Sequence, residues 1–272
     1  MKYPKALLTL ITAIVIVAHP ASAQSQNREY KEYFRERISH SNIENELVPI
    51  QGNTKLKVSK VHQSKQKVWN IWKSVNNEIE QLPEFTQATN PEPPLHHWQL
   101  IDEDPMPFYL LRKGDEEGTM KKPLFLNLHG SGPKEREFSA ALRLSKAYED
   151  SPSVYFIPQI PNEKRYRWWF QPIQNTWERL FRLSMLNDEI DPNKIHVLGI
   201  SEGGYGSQRL GSYYADYLAG VGPMAGGEPI KNAPPLNLRN VAFSFHTGEH
   251  DDAWGRNQLT RLAGSILDSL EQ

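Results

Sequence analysis

The 272-residue chain has no cysteine, which excludes both a disulfide framework and a lipid carried on an amino-terminal cysteine. A domain of this size can do without staples because its core is large enough to hold it together. Neither sign of charge is in excess, since 31 basic residues stand against 32 acidic ones for a formal net charge of −1. That balance offers no electrostatic case for nucleic acid or an anionic membrane as partner. No long repeat, no low-complexity tract and no Cys/His ligand cluster is present, so no metal and no organic cofactor is expected. One further absence is local: no histidine follows His250.

What is present starts with Lys2 and Lys5, the apolar stretch Ala6 to Ala18, Pro20 and the small-residue site Ala21-Ser22-Ala23. This is the pattern of a secretory signal peptide over residues 1–23, cleaved after Ala23, with the mature chain expected in a periplasm or outside the cell and off the membrane. The apolar stretch is too short to serve well as a span. Residues 24–94 read as a helical extension closed by the proline-rich linker Asn90-Pro91-Glu92-Pro93-Pro94, leaving 95–272 for the main domain. In the extension Val68, Trp69, Ile71, Trp72, Val75, Ile79 and Leu82 form one apolar stripe. The stripe is expected to pack on the main domain, with substrate contact by Trp69 and Trp72 as the other reading.

The most informative segment is Gly199-Ile200-Ser201-Glu202-Gly203-Gly204-Tyr205, a G-x-S-x-G motif. Lys194 to Gly199 reads as a buried strand after the turn Asp191-Pro192-Asn193, and Tyr205 to Tyr217 reads as a helix. A serine on so sharp a strand-to-helix turn has its hydroxyl held out at the sheet edge, and its neighbours two positions away must be small. Ser201 is therefore a candidate nucleophile. Upstream, the apolar strand Pro123 to Leu128 runs into His129-Gly130-Ser131-Gly132-Pro133, a turn able to aim backbone N–H groups at one point.

Together these motifs resemble the α/β-hydrolase superfamily, over residues 95–272 and in its secreted esterase, dienelactone-hydrolase-like and polyester-depolymerase-like branches. The resemblance implies a mostly parallel sheet flanked by helices, with the N–H groups of Ser131 or Gly130 and of Glu202 as oxyanion donors. His129 is expected to brace the loop. The resemblance also implies a triad acid after the strand Asn240 to His246, where Asp251 is the choice and Asp252 the runner-up. One strand candidate, Leu218 to Met224, lies between the motifs, as that order requires. His97 to Ile101 and Pro107 to Arg112 would form an opening antiparallel pair, and Val154 to Pro158 a further strand.

In that family a histidine after the acid serves as base, and here none follows. The helical spacing of Leu259, Leu262, Ile266, Leu267 and Leu270 ends the chain, so the fold is expected to lack the last strand and the histidine loop. Truncation of a longer hydrolase is the most economical account; a pseudoenzyme, or His250 or His246 standing in as base, are the others. The aromatic and basic run Arg165 to Phe170, with Arg167, Trp168 and Trp169, suits a sugar ring or a planar acyl group on the carboxyl edge of the sheet. The expected activity is hydrolysis of a small-molecule or carbohydrate ester through an acyl-enzyme. A prolyl-oligopeptidase-like peptidase and an inactive sugar-binding protein are the alternatives, and the oligomeric state is left open.

Overall fold

A computed structural model describes residues 20–39, 55–101, 103–114, 120–164 and 167–270. The apolar stretch of the expected signal peptide lies outside them, as do Arg165 and Tyr166. The chain divides into two compact units, Met1–Ile79 and Glu80–Gln272. No described helix is long and apolar enough to cross a membrane.

In the first unit α1 (Pro20–Ser39) and α2 (Val61–Ile79) form a helical pair. Glu78 accepts hydrogen bonds from Lys31 at 3.3 Å and Arg35 at 2.5 Å. Ile71 and Val75 of the expected stripe are buried, and Trp69 stacks on Trp72 at 4.8 Å. Leu82 is not part of that helix; it packs against the core of the second unit. The expected boundary at residue 94 is corrected in the same direction. Phe85 is buried in that core, β1 (Thr86–Gln87) pairs with Leu111 and Arg112, and Glu80 takes hydrogen bonds from Arg179 and Arg182.

The second unit is built on β2 (His96–Trp98), β3 (Met106–Lys113), β4 (Lys122–Leu128), β5 (Ser153–Pro158), β6 (Ile190–Ile200), β7 (Gly220–Met224) and β8 (Ala242–Phe243), together with β1. The sheet order is β1-β3-β5-β4-β6-β7-β8, with β2 also on β3. β2 and β3 are antiparallel, as are β3 and β5, while β5, β4, β6, β7 and β8 run parallel. Strand β5 is buried along its whole length, as a central strand covered on both faces should be. Its alternation divides the core. Val154 and Phe156 join the larger cluster with Ile173, Trp177 and Leu180 of α4 (Gln171–Ser184), whereas Tyr155 and Ile157 join Phe138 and Ala141 of α3 (Lys134–Ala147). Each such large side chain contributes roughly 1.5–3 kcal/mol on full burial.

Two strands depart from expectation. β6 begins at Ile190 and absorbs the expected turn as an irregularity, its pairing passing from Lys122↔Ile190 to Leu124↔Ile195. β8 covers only two residues, followed by an isolated bridge between Met224 and His246. After it come α6 (Arg256–Leu270) and no further strand among the described residues.

The order sets the position of the site. From β4 the chain goes to β5 on one side and then to β6 on the other, so the loops leaving β4 and β6 diverge and open a crevice at their carboxyl ends. Leu128 and Gly199 are in register there. The glycine loop follows the first and Ser201 the second.

Candidate active site

Ser201 joins β6 to α5 (Glu202–Tyr213) in a left-handed conformation, φ 53° and ψ −113°. A non-glycine residue held there carries on the order of 1–3 kcal/mol of strain. The turn is fixed by Ser201 N–H donating to Met224 O at 2.9 Å and by Tyr205 N–H donating to Ser201 O at 3.0 Å. Its glycines are required by contact. A Cβ on Gly203 would lie 2.0 Å from Leu128 O, and one on Gly199 would lie 2.2 Å from Gly203 O.

The glycine loop lies against this elbow, since a Cβ on Gly130 would stand 3.5 Å from the Ser201 Cβ. His129 points inward. Ile160 N–H donates to its Nε2 at 3.0 Å, so Nδ1 carries the proton and donates to Gly130 O at 2.7 Å. Burial, the main cause, pulls its pKa down to about 4, so the ring is neutral and braces the loop as the sequence suggests. Trp168 Nε1 donates to His129 O at 3.0 Å, and the two rings meet edge to face at 4.8 Å. Among the described residues no acceptor takes the N–H groups of Gly130, Ser131 or Glu202. Glu202 is the first residue of α5, where helix geometry supplies no partner.

His129 makes stability pH-dependent in a defined window. Its folded pKa lies below the unfolded value of about 6.5, so the unfolded chain binds more protons between the two values and stability falls on acidification. A shift from 6.5 to about 4 corresponds to about 3 kcal/mol, fully present above pH 6.5 and lost by pH 4. Urea titrations of the wild type and of His129→Gln at pH 7.5 and 4.5 should show a smaller pH difference in the variant; equal differences would remove His129 from the account.

On the other side of Ser201 stands the loop carrying the expected acid. Asp251 is held by its N–H donating to Gly248 O at 3.1 Å and by its carbonyl accepting from Asn257 N–H at 3.2 Å. Asp252 ties the loop instead, its carboxylate accepting from Asn257 Nδ2 at 2.7 Å. Between Asp251 and Ser201 lies an arginine that sequence reasoning missed. Arg256 Nη1 is 3.4 Å from each Asp251 oxygen, Nη2 is 3.4 Å from Ser201 Oγ, and Nε donates to Tyr205 Oη at 3.0 Å. Burial, the largest single contribution, pulls its pKa down, but the Tyr205 hydrogen bond and the Asp251 charge outweigh it and the net shift is upward. Arg256 is a permanent cation and no base. His246 and His250 are exposed, His246 pairing with Ser244 Oγ at 2.9 Å, and no histidine lines the cleft among the described residues.

That cleft has a volume of about 490 Å³ and is walled by Ser131, Ser201, Arg167, Trp169, Trp254 and Arg256, among others. Arg167 pairs with Glu202 at 3.0 Å and Arg209 with the buried Glu228 at 2.7 Å. Arg209 also lies over the Trp169 ring at 4.1 Å. Burial, chiefly, pushes the Glu202 carboxyl up, and its Oε1 is buried without a partner. Of the expected substrate contacts, Arg167 and Trp169 line the cleft. Trp168 is corrected: it is 0% exposed, a core residue that fills the space beside Gly206, where a Cβ would stand 2.7 Å from its own.

No protein-family model matches the chain. A poly(3-hydroxyalkanoate) depolymerase C of Paucimonas lemoignei is 30% identical over 95 residues, which are 32% of this chain and 23% of that protein. Among solved structures, a thermostable esterase aligns with TM-score 0.53 and 20% identity over 65% of this chain and 51% of its own. A ferulic acid esterase aligns at 0.50 and 16% over 65% and 86%. Thermogutta terrifontis esterase 2, phosphorylated by paraoxon, aligns at 0.52 and 11% over 67% and 80%. This chain thus spans under a quarter of the depolymerase and about half of the thermostable esterase. The strand order, the elbow at Ser201 and these alignments identify the fold as that of the α/β-hydrolases.

Proposed function

We propose that the cleft is the site of a serine-dependent carboxylic ester hydrolase working through an acyl-enzyme. The observation that carries this reading is Ser201, strained at the elbow beside the Gly130 and Ser131 N–H groups, which have no acceptor among the described residues. Names of similar proteins, an esterase and a polyester depolymerase among them, support the same class of reaction. Ser201 Oγ bonds to the ester carbonyl carbon, and the N–H groups of Ser131 or Gly130 and of Glu202 take the developing oxyanion. The carbon–alkoxy bond breaks and the alcohol leaves with a proton; water then releases the acid and restores the hydroxyl. The proton of Ser201 passes to solvent, because Arg256 cannot accept it, and Asp251 serves to orient Arg256. Turnover by these 272 residues is therefore slow. Hydrolysis of a nitrophenyl acetate should be weak and should vanish in Ser201→Ala; a variant as active as the wild type would end this reading.

The ester is assigned to a ring-bearing alcohol or acid, such as a sugar, on the strength of Trp169 and Arg167 at the cleft wall. Binding energy from a stacked ring orients the carbonyl, so its benefit belongs in kcat/KM for the large ester. Trp169→Ala is expected to lower kcat/KM about tenfold on a bulky aryl or sugar ester, roughly 1.4 kcal/mol, and to leave the acetate almost unchanged. Equal losses on both would make Trp169 a support of the fold. The amino-terminal pattern Lys2 to Ala23 carries the accompanying proposal that the chain is exported.

A further inference from the structure

Among the described residues three arginines face the cleft, and their commitments differ. Arg167 and Arg209 have close carboxylate partners at 3.0 and 2.7 Å. Arg256 does not: its approaches to Asp251 and to Ser201 are all 3.4 Å, beyond the usual range of a good N–H···O bond. What holds its guanidinium most closely is the 3.0 Å bond from Nε to Tyr205 and the ring of Trp254 at 4.8 Å, with Asp251 as a looser ion pair at 3.4 Å and the side chain only 13% exposed. The terminal nitrogen next to Ser201 is thus positioned without being consumed.

Trp254 adds a second observation. It is 80% exposed at the cleft and sits in the left-handed region, φ 54° and ψ 21°. A bulky residue there is a genuine outlier, and such strain collects at ligand sites. Among the described residues the ring joins neither apolar core cluster. An exposed aromatic face beside a fixed guanidinium suits a planar ring joined to an anion.

The geometry points to a carboxylate-binding site at Arg256 and Ser201, which takes a ring-bearing free carboxylic acid with its ring on Trp254. One carboxylate oxygen accepts from Arg256 Nη2 and the other from the Ser201 hydroxyl, the two donors standing 3.4 Å apart. Arg256 is a planar donor and selects carboxylate over a neutral amide of the same shape. The cleft, at about 490 Å³, is within the ordinary size range of small-molecule sites. Binding does not depend on turnover, so it stands apart from the hydrolase reading.

The test is calorimetric titration with benzoate, benzamide and acetate. The wild type should bind benzoate at least about tenfold more tightly than benzamide, with an affinity that falls as salt is added. Arg256→Gln should erase that preference, and Arg256→Lys, which keeps a charge but not the fork, should keep part of it. Trp254→Ala should bring benzoate close to acetate. Ser201→Ala, unable to form an acyl-enzyme, should still bind benzoate, about threefold more weakly for one lost hydrogen bond. Benzamide binding as tightly as benzoate to the wild type would overturn the proposal whatever the variants do. So would failure of benzoate to bind at 10-fold the concentration of about 1 mM at which a weak specific site half-fills, or unchanged binding in a folded Arg256→Gln protein.

Discussion

Arg256→Ala supplied with free imidazole is expected to hydrolyse a nitrophenyl ester about 10- to 100-fold faster than the same variant without it, at most the lower bound of the 10²–10⁴ that a positioned, tethered general base supplies. In the native chain the guanidinium spans the gap between Asp251 and Ser201, with Nη1 3.4 Å from the first and Nη2 3.4 Å from the second. Its two terminal nitrogens flank one carbon, as the two ring nitrogens of imidazole do. Removing the side chain therefore leaves a space in which imidazole can donate to Asp251 and accept from Ser201. The other parts of the machinery, the strained serine and the unpartnered N–H groups beside it, stay in place. Acceleration should disappear when Ser201→Ala is added and shrink with Asp251→Asn. Imidazole acting equally on the Ser201→Ala double variant would mean that it attacks the ester directly and that the gap is no base site.

The second large effect concerns the elbow. Gly203→Ala is expected to destabilise the protein by about 3 kcal/mol or more, at the upper end of overpacking, because the new Cβ would meet Leu128 O at 2.0 Å and His129 O at 2.8 Å. Both obstacles are backbone carbonyls and cannot rotate away. Relief requires α5 to move off β4, which also shifts Ser201 from the glycine loop. For a domain of this size the melting temperature should fall by roughly 6–12 °C. Gly264→Ala provides the contrast: it lies in α6 with nothing within 4 Å of the added carbon, and should stabilise by about 0.5–1 kcal/mol. Thermal melts of the two variants that moved together would contradict this reading of the elbow.

These features differ in how far the sequence disclosed them. The elbow and the glycine loop were legible because their chemistry is local: a serine turn that excludes Cβ atoms must place glycines at fixed offsets, and Gly199 and Gly203 stand there. The longer strands were legible as apolar runs of five or more residues. Shorter pieces escaped, since the two residues Thr86–Gln87 carry no periodicity, and the prolines after them looked like a boundary that Phe85 shows to be inside the domain. Trp168 and Trp169 are equivalent in composition, and only the socket at Gly206 decides which turns inward. Arg256 was hidden for another reason. It opens a helix five residues after Asp251, and the direction of a long side chain from such a position is set by Tyr205 and Trp254, which are distant or unremarkable in sequence.

On the proposed reading Ser201 is the nucleophile, and an arginine, not a histidine, stands between it and Asp251. Both points are tested most directly by the rate at which a phosphonyl fluoride labels Ser201 across pH 5 to 9, followed by intact mass. With no imidazole at the hydroxyl, labelling should map to Ser201, and its rate should climb about tenfold per pH unit without a plateau, as reaction through the serine anion requires. An inflection near pH 6.5, the ordinary pKa of histidine, would show a histidine acting on Ser201 and would contradict the account.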